Sequence, residues 1–137
     1  MNKNVKTFVS ERVKVRTLAK RGVYDFESIS EILDSSFICH IGFIIDKQPF
    51  VIPTCFGRNK DEIFFHGAKG SRMLKHLKTG AEICIVVTNV DGIVLARSAF
   101  HHSINYRSIV MFGIADEISE PVTKLKSIVY QPHRDYE

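Results

Sequence analysis

The feature that most constrains the fold is how little chain separates the apolar, β-branched runs. Phe37 to Ile45 is dense in isoleucine and phenylalanine and reads as a strand. Asp46-Lys47-Gln48 turns it into a second run, Pro49 to Gly57, and Arg58-Asn59-Lys60-Asp61 leads into a third, Glu62 to His66. Ile83 to Val87 is apolar on both faces, as a central strand would be, and Asp91-Gly92 reads as a hairpin returning through Ile93 to Ala96. Tyr106 to Ile114 supplies a last long strand. Connections this short join antiparallel neighbours, since a parallel crossover needs about a dozen residues or more. A doubly wound parallel fold would also place a helix after most strands, and those helices are lacking. The expectation is a mainly β fold with peripheral helices, whose six antiparallel strands close as a small barrel.

Three helices are expected around it. In Phe26 to Asp34, apolar Ile29, Ile32 and Leu33 fall at helical spacing, and Ser28 with Glu31 suits a capping box. Residues 71–79 place Met73, Leu74 and Leu77 on one stripe, with Gly80 as a C-terminal stop. Pro121 can open a third helix, with Val122, Leu125, Ile128 and Val129 on its apolar side. The order is thus helix, three strands, helix, three strands, helix. The chain divides into a basic N-terminal arm (1–24), one folded domain (25–130) and a polar tail (131–137).

With 137 residues, 45% of them hydrophobic, the chain can bury one real core. Its net charge of +4 favours anionic partners without selecting nucleic acid over a phosphorylated small molecule. The aromatics sit in apolar runs rather than interleaved with cations, which argues against a nucleic-acid surface. Cys39, Cys55 and Cys84 have neither disulfide nor zinc spacing, and each lies in an apolar run where a buried thiol is expected. No apolar run approaches the roughly 20 residues of a membrane span, and the start has no secretory pattern, so a cytoplasmic location is expected.

Three segments carry chemistry. In the first, Phe64-Phe65-His66-Gly67-Ala68-Lys69-Gly70-Ser71-Arg72, a strand enters a glycine loop that opens a helix bearing Ser71, Arg72 and Lys75. A helix start with a hydroxyl and two cations can seat a phosphate, and the alternative is a plain connection with surface cations. The P-loop order is absent. In the second, residues 96–108, polar groups crowd between two apolar strands. His101 and His102 suggest a metal, but strand neighbours face opposite ways and no Cys or acidic residue has partner spacing, so no metal site is expected. Arg97 and Ser98, directly after a strand, better suit an anion or a ring edge. In the third, Pro53 interrupts a strand ladder and marks an edge, a bulge or broken pairing, leaving backbone groups for a flat heterocycle. Neither Cys55 nor Cys84 has a motif that would lower its pKa, and the Gly-x-Ser-x-Gly elbow of a Ser–His–Asp hydrolase is missing.

In this order, Arg21-Gly22-Val23-Tyr24-Asp25, Gln48-Pro49-Phe50-Val51-Ile52-Pro53-Thr54, Phe65-His66-Gly67-Ala68 through Arg72, and Arg97-Ser98-Ala99-Phe100-His101-His102-Ser103-Ile104-Asn105-Tyr106-Arg107-Ser108 resemble a known family. It is the pyridoxamine 5′-phosphate oxidase-related, FMN-binding split-barrel family, in its flavin-nucleotide-binding and nitroimidazole-resistance reductase branch. The resemblance spans about residues 16 to 120 and implies a six-stranded antiparallel split barrel that dimerises, with FMN, or FAD in its place, at the subunit interface. It implies Ser71 and Arg72 on the phosphate, with Lys75 as a helper, and His66 and Gly67 along the ribityl chain and ring. Pro53, Thr54 and Cys55 would offer backbone to the ring edge, and Arg97 and Ser98 would reach the cofactor from the other strand pair. His66 is the candidate proton donor or substrate contact. The implied activity is an oxidoreductase passing electrons from a reduced nicotinamide to a small, for instance nitroaromatic, acceptor. The alternative is a non-catalytic flavin- or haem-binding store or sensor, with His40, His66, His101 and His102 as possible haem ligands. Relatives of this type continue past residue 137 through a helix and another strand.

Overall fold

A computed structural model describes residues 10–118 and the strand at 128–132. Two helices, α1 (Phe26–Asp34) and α2 (Arg72–Leu77), accompany six strands: β1 (Ile38–Ile45), β2 (Gln48–Asn59), β3 (Glu62–Phe65), β4 (Glu82–Val94), β5 (Ser103–Glu117) and β6 (Ile128–Pro132). The strands close into an antiparallel barrel in the order β1-β2-β3-β6-β5-β4. The mainly β, antiparallel barrel expected from the short turns is what the chain forms.

The β1–β2 connection explains why. Asp46 and Lys47 both adopt positive φ (48° and 65°), the backbone of a two-residue turn whose twist matches that of the flanking strands. That turn pairs Ile45 with Gln48 and so fixes Phe43 opposite Phe50 and Cys39 opposite Thr54. Period-two alternation then sends Cys39, Ile41 and Phe43 inward, where they meet Ile63 and Phe65 of β3, Ile83, Ile85 and Val87 of β4, and Ile109 and Ala115 of β5. α2 adds Met73, Leu74 and Leu77 to this core, and α1 adds Leu33.

Several expectations are corrected. Asp91-Gly92 is no hairpin: β4 runs through it as one strand to Val94, and pairing with β5 continues on both sides (Val90 with Tyr106, Gly92 with Asn105). Asp91 is the extra residue of a β-bulge. Ile93 therefore continues β4, and the sixth strand comes from β6. Ile128 and Val129, expected on a helix, lie in that strand, which closes the barrel between β3 and β5. The rest of that expected helix lies outside the described residues. β6 also takes in Gln131 and Pro132 from the expected tail. α1 is capped by Asp25 rather than by a Ser28–Glu31 box, since the Ser28 N–H donates to Asp25 Oδ1 at 2.9 Å. Gly80 takes φ 76° after α2, a conformation that favours glycine, so the expected stop is real. Cys39 is buried and Cys84 half-buried, but Cys55 is exposed, because it pairs with Ile38 on the outer face.

Candidate functional site

β2 changes neighbours halfway along. Gln48 to Cys55 pair with β1, whereas β3 pairs only with Phe56 to Asn59. Among the described residues, β2 is thus free on one side over its first eight residues. The Phe56 N–H donates to the Phe37 carbonyl at 3.1 Å, so its backbone faces β1. Alternation turns the N–H and C=O of Val51 and Cys55, and the C=O of Pro53, toward the free side. Pro53, in its pair with His40, has no N–H to lose there, which explains a proline inside a strand. The register also leaves Cys55 opposite His66, the first residue past the β2–β3 ladder. Pro53, Thr54, Cys55, His66 and Gly67 therefore meet where the barrel splits. Gly67 is held close to α2: a Cβ there would come within 3.1 Å of Leu74 Cδ1.

Further along the free edge, Phe43, Phe50, Ile52, Ser71, Arg72 and Met73 line a cleft of about 240 Å³. Phe43 and Phe50 stack with centroids 5.4 Å apart, and His76 packs on Phe43 at 5.6 Å. The Arg72 guanidinium lies 5.1 Å from the Phe50 centroid and has no hydrogen bond or ion pair among the described residues. Ser71 caps α2 by accepting the Leu74 N–H at 3.4 Å, which leaves its own O–H proton to donate. Lys75 follows one turn later and is exposed. A fixed aromatic wall, a cation with no carboxylate partner among the described residues and a hydroxyl donor suit a ligand with an anionic end and a flat body. Along the strand edge, backbone donors and acceptors have no strand partner among the described residues.

Arg97 and Ser98 lie elsewhere. β4 runs antiparallel to β1, with Cys84 opposite Gly42, so its far end leaves the barrel away from Phe43 and Phe50. About 30 Å of strand separate the level of Phe43 from Val94. Arg97 and Ser98, both exposed, follow in a loop closed by a 3-10 turn at Ala99–His101. The Ala96 N–H donates to His102 Nδ1 at 3.0 Å, which places the proton of a neutral His102 on Nε2. In one chain the expected site residues thus form two groups, one at the split and one on the β4–β5 ribbon.

Sequence reasoning passed over Phe43, Ile52, Met73 and the role of Phe50. The signal for the aromatic wall was present, since a two-residue turn at Asp46-Lys47 sets Phe43 against Phe50. It also passed over Arg107, which binds Asp91 and Glu31.

A barrel split along one strand edge, with a cation and an aromatic wall beside the split, defines a small-ligand-binding split-barrel protein. The profile of the family described as pyridoxamine 5′-phosphate oxidase matches residues 25–134, and the chain belongs to this flavin-binding split-barrel family. Among solved structures it is similar to the flavocytochrome Anf3 from Azotobacter vinelandii, with 37% identity and a TM-score of 0.73 over 81% of this chain and 51% of that one. It is also similar to the FAD and heme binding protein from Mycobacterium smegmatis, with 38% identity and a TM-score of 0.64 over 68% of this chain and 45% of that one. The chain thus spans about half the length of these two proteins. A candidate 5-nitroimidazole antibiotic resistance protein from Bacteroides thetaiotaomicron shares the fold, with 21% identity and a TM-score of 0.59 over 72% of this chain and 58% of that one. No curated protein matches the chain. Among the described residues no helix is long and apolar enough to cross a membrane.

Proposed function

We propose that the chain binds FMN and works as a homodimeric flavin oxidoreductase, passing electrons from a reduced nicotinamide to a small acceptor such as a nitroaromatic. The observation that carries this reading is the Arg72 guanidinium, poised over Phe50 beside the edge of β2 with no carboxylate partner among the described residues. Arg72 and the Ser71 hydroxyl hold the phosphate, with Lys75 adding charge from the next turn. Val51, Pro53 and Cys55 present backbone groups to the ring edge, whereas Thr54, expected to join them, turns its backbone toward Cys39 of β1. Gly67, which keeps the loop close to α2, lets the ribityl chain pass, and His66 stands ready to hand a proton to the bound acceptor. When bound, the flavin supplies the redox chemistry, and the protein seats it and excludes water from one face.

The second subunit enters through the same geometry. No single FMN spans from Arg72 to Arg97 along one barrel, so Arg97 and Ser98 act on the cofactor seated by the other copy. Apolar surface supports the pairing: Ile44 and Val51 are 62% and 65% exposed on the outer β1–β2 face, and Leu95 and Phe100 are 77% and 91% exposed on the ribbon. Three thiols without disulfides fit a reducing cytoplasm.

FAD in place of FMN, and a non-catalytic flavin- and haem-binding role, form the second reading. It is favoured by the likeness, at 37% and 38% identity, to a flavocytochrome and to a FAD and heme binding protein. His102 fits that role poorly, because its Nε2 carries a proton while Nδ1 holds the Ala96 N–H. His40, His66 and His101 remain as ligands for it. An absorbance spectrum of the purified protein separates the readings: flavin bands and oxidation of reduced nicotinamide support the first, and a haem band without turnover supports the second. A colourless protein that also fails to bind added FMN and FAD refutes both.

A further inference from the structure

Among the described residues, β4 and β5 beyond Val90 pair only with each other, since β1 meets β4 at Cys84 to Val86 and β6 meets β5 at Gly113 to Glu117. A two-stranded ribbon on its own is marginal and its angle is not set by the sheet. At its root lies the bulge at Asp91, the kind of irregularity that re-aims a strand. Arg107 grips that bulge. Its Nε donates to Asp91 Oδ1 and Oδ2 at 3.2 and 3.0 Å, and one terminal nitrogen donates to Oδ1 at 3.0 Å. The other terminal nitrogen donates to Glu31 Oε1 of α1 at 3.2 Å. One residue before the bulge pair, Asn89 Nδ2 donates to the Ile32 carbonyl at 3.1 Å and to Ser35 Oγ at 2.7 Å, and the Ser36 hydroxyl donates to Asn89 Oδ1. At the tip, the bond from Ala96 N–H to His102 closes the loop that carries Arg97 and Ser98. The ribbon is therefore braced at both ends, and its direction is decided at the bulge.

We propose that Arg107 is a positioning residue: by clamping the bulged Asp91 to Glu31 of α1 it aims the ribbon so that Arg97 and Ser98 meet the flavin. This rests on the reading that Arg97 belongs to the flavin site. A guanidinium suits the task because its planar fork fixes direction as well as distance, which a lysine ammonium does not. The clamp is partly exposed, so it adds little to global stability, and its removal should leave the barrel folded.

The test uses the full chain as wild type, Arg107→Lys, Arg107→Gln, Arg97→Ala and the double variant Arg97→Ala with Arg107→Lys. FMN affinity is read from quenching of flavin fluorescence and folding from the thermal midpoint. Arg107→Lys, despite keeping its charge, is expected to weaken FMN binding about fivefold, and Arg107→Gln as much or more. In the Arg97→Ala background Arg107→Lys should add much less than fivefold, because only Ser98 is left for it to aim. Should an Arg107 variant fail to fold, Asp91→Asn cuts the same clamp from the other side and carries the same test. Wild-type affinity in a folded clamp variant overturns the positioning role, as does a loss that multiplies in full with that of Arg97→Ala. A wild type that binds neither FMN nor FAD overturns the flavin reading itself and the positioning role with it.

Discussion

Replacing Arg72 with alanine separates binding from folding more sharply than any other single change. Arg72 opens α2, its side chain is exposed, and its described contact is the cation–π approach of 5.1 Å to Phe50. Alanine is at least as good a helix former, so the folding cost is the lost contact with the ring, about 0.5–1 kcal/mol at an exposed site. For a domain of this size that lowers the thermal midpoint by about 2–5 °C. A charge-assisted hydrogen bond to a phosphate is worth about 1.5–3 kcal/mol, which raises the FMN dissociation constant by roughly 10- to 150-fold. Arg72→Lys keeps the charge and loses the fork, so it should fall between the two. Ionic strength gives an independent check. Salt weakens FMN binding to the wild type through screening at the cation, and the variant's binding should respond less steeply. Titrating both proteins with FMN, at low and high salt and well below their midpoints, measures each quantity. Equal affinities would refute the phosphate seat, and so would a loss of affinity that appears only as the variant unfolds.

Four further outcomes follow from the barrel itself. Leu77 is fully buried beneath α2, so Leu77→Ala should cost about 2–5 kcal/mol in denaturant unfolding, and a loss within experimental error would mean that α2 does not seal the core. Burial pushes the Cys39 thiol up to about 11 and raises that of half-buried Cys84, while Cys55 is exposed, so a thiol reagent at neutral pH should modify Cys55 first in the native protein, as peptide mass spectrometry would read. The same shift has a sign: native Cys39 keeps its proton where the unfolded chain loses it, so stability should fall as pH rises from 9.0 to about 11, and Cys39→Ser should flatten that slope. Hydrogen bonding to Arg58, first of all, lowers the Asp34 carboxyl below its ordinary 3.8, so the pair stabilises the fold above that value and the gain is lost as pH falls through the native value. The unfolding midpoint of Asp34→Asn should therefore lie below wild type at neutral pH and converge on it in acid, whereas a constant gap would deny the pair its role.

The sequence was legible where chemistry is local. The turn at Asp46-Lys47, the helix opening near Ser71 and the Gly80 stop follow from residues within a few positions of one another. It misled where a partner far along the chain decides. Asp91-Gly92 has the composition of a hairpin turn, but Arg107 binds the Asp91 carboxylate and the ladder with β5 continues past it, so a turn became a bulge. Ile128 and Val129 suit either a helix stripe or a strand. The open sides of β3 and β5 decide for the strand, since pairing there satisfies backbone groups on both. Cys39 and Cys55 sit in equally apolar runs, yet the register places the first with inward Thr54 and the second with outward Ile38. The split itself was half visible, because Pro53 announced a missing donor without saying which side of the strand lacked a neighbour.

The two-part site makes a demand that a site within one chain would not. With β4 antiparallel to β1, Arg97 departs from the end of the barrel opposite the Phe43–Phe50 wall, while Arg72 stays beside that wall. If each cofactor is held by Arg72 of one copy and Arg97 of the other, then Arg72→Ala and Arg97→Ala homodimers each carry two damaged sites. A mixed dimer instead carries one site with both arginines and one with neither. Random exchange of equal amounts should therefore restore wild-type affinity at about a quarter of all sites, the remainder staying weak. Refolding the two variants together and titrating with FMN would resolve that tight fraction, with native mass spectrometry confirming that mixed dimers formed. A fully weak isotherm despite confirmed mixing would place both arginines in the same chain's site, and the aim of the ribbon would then have to be sought toward its own barrel.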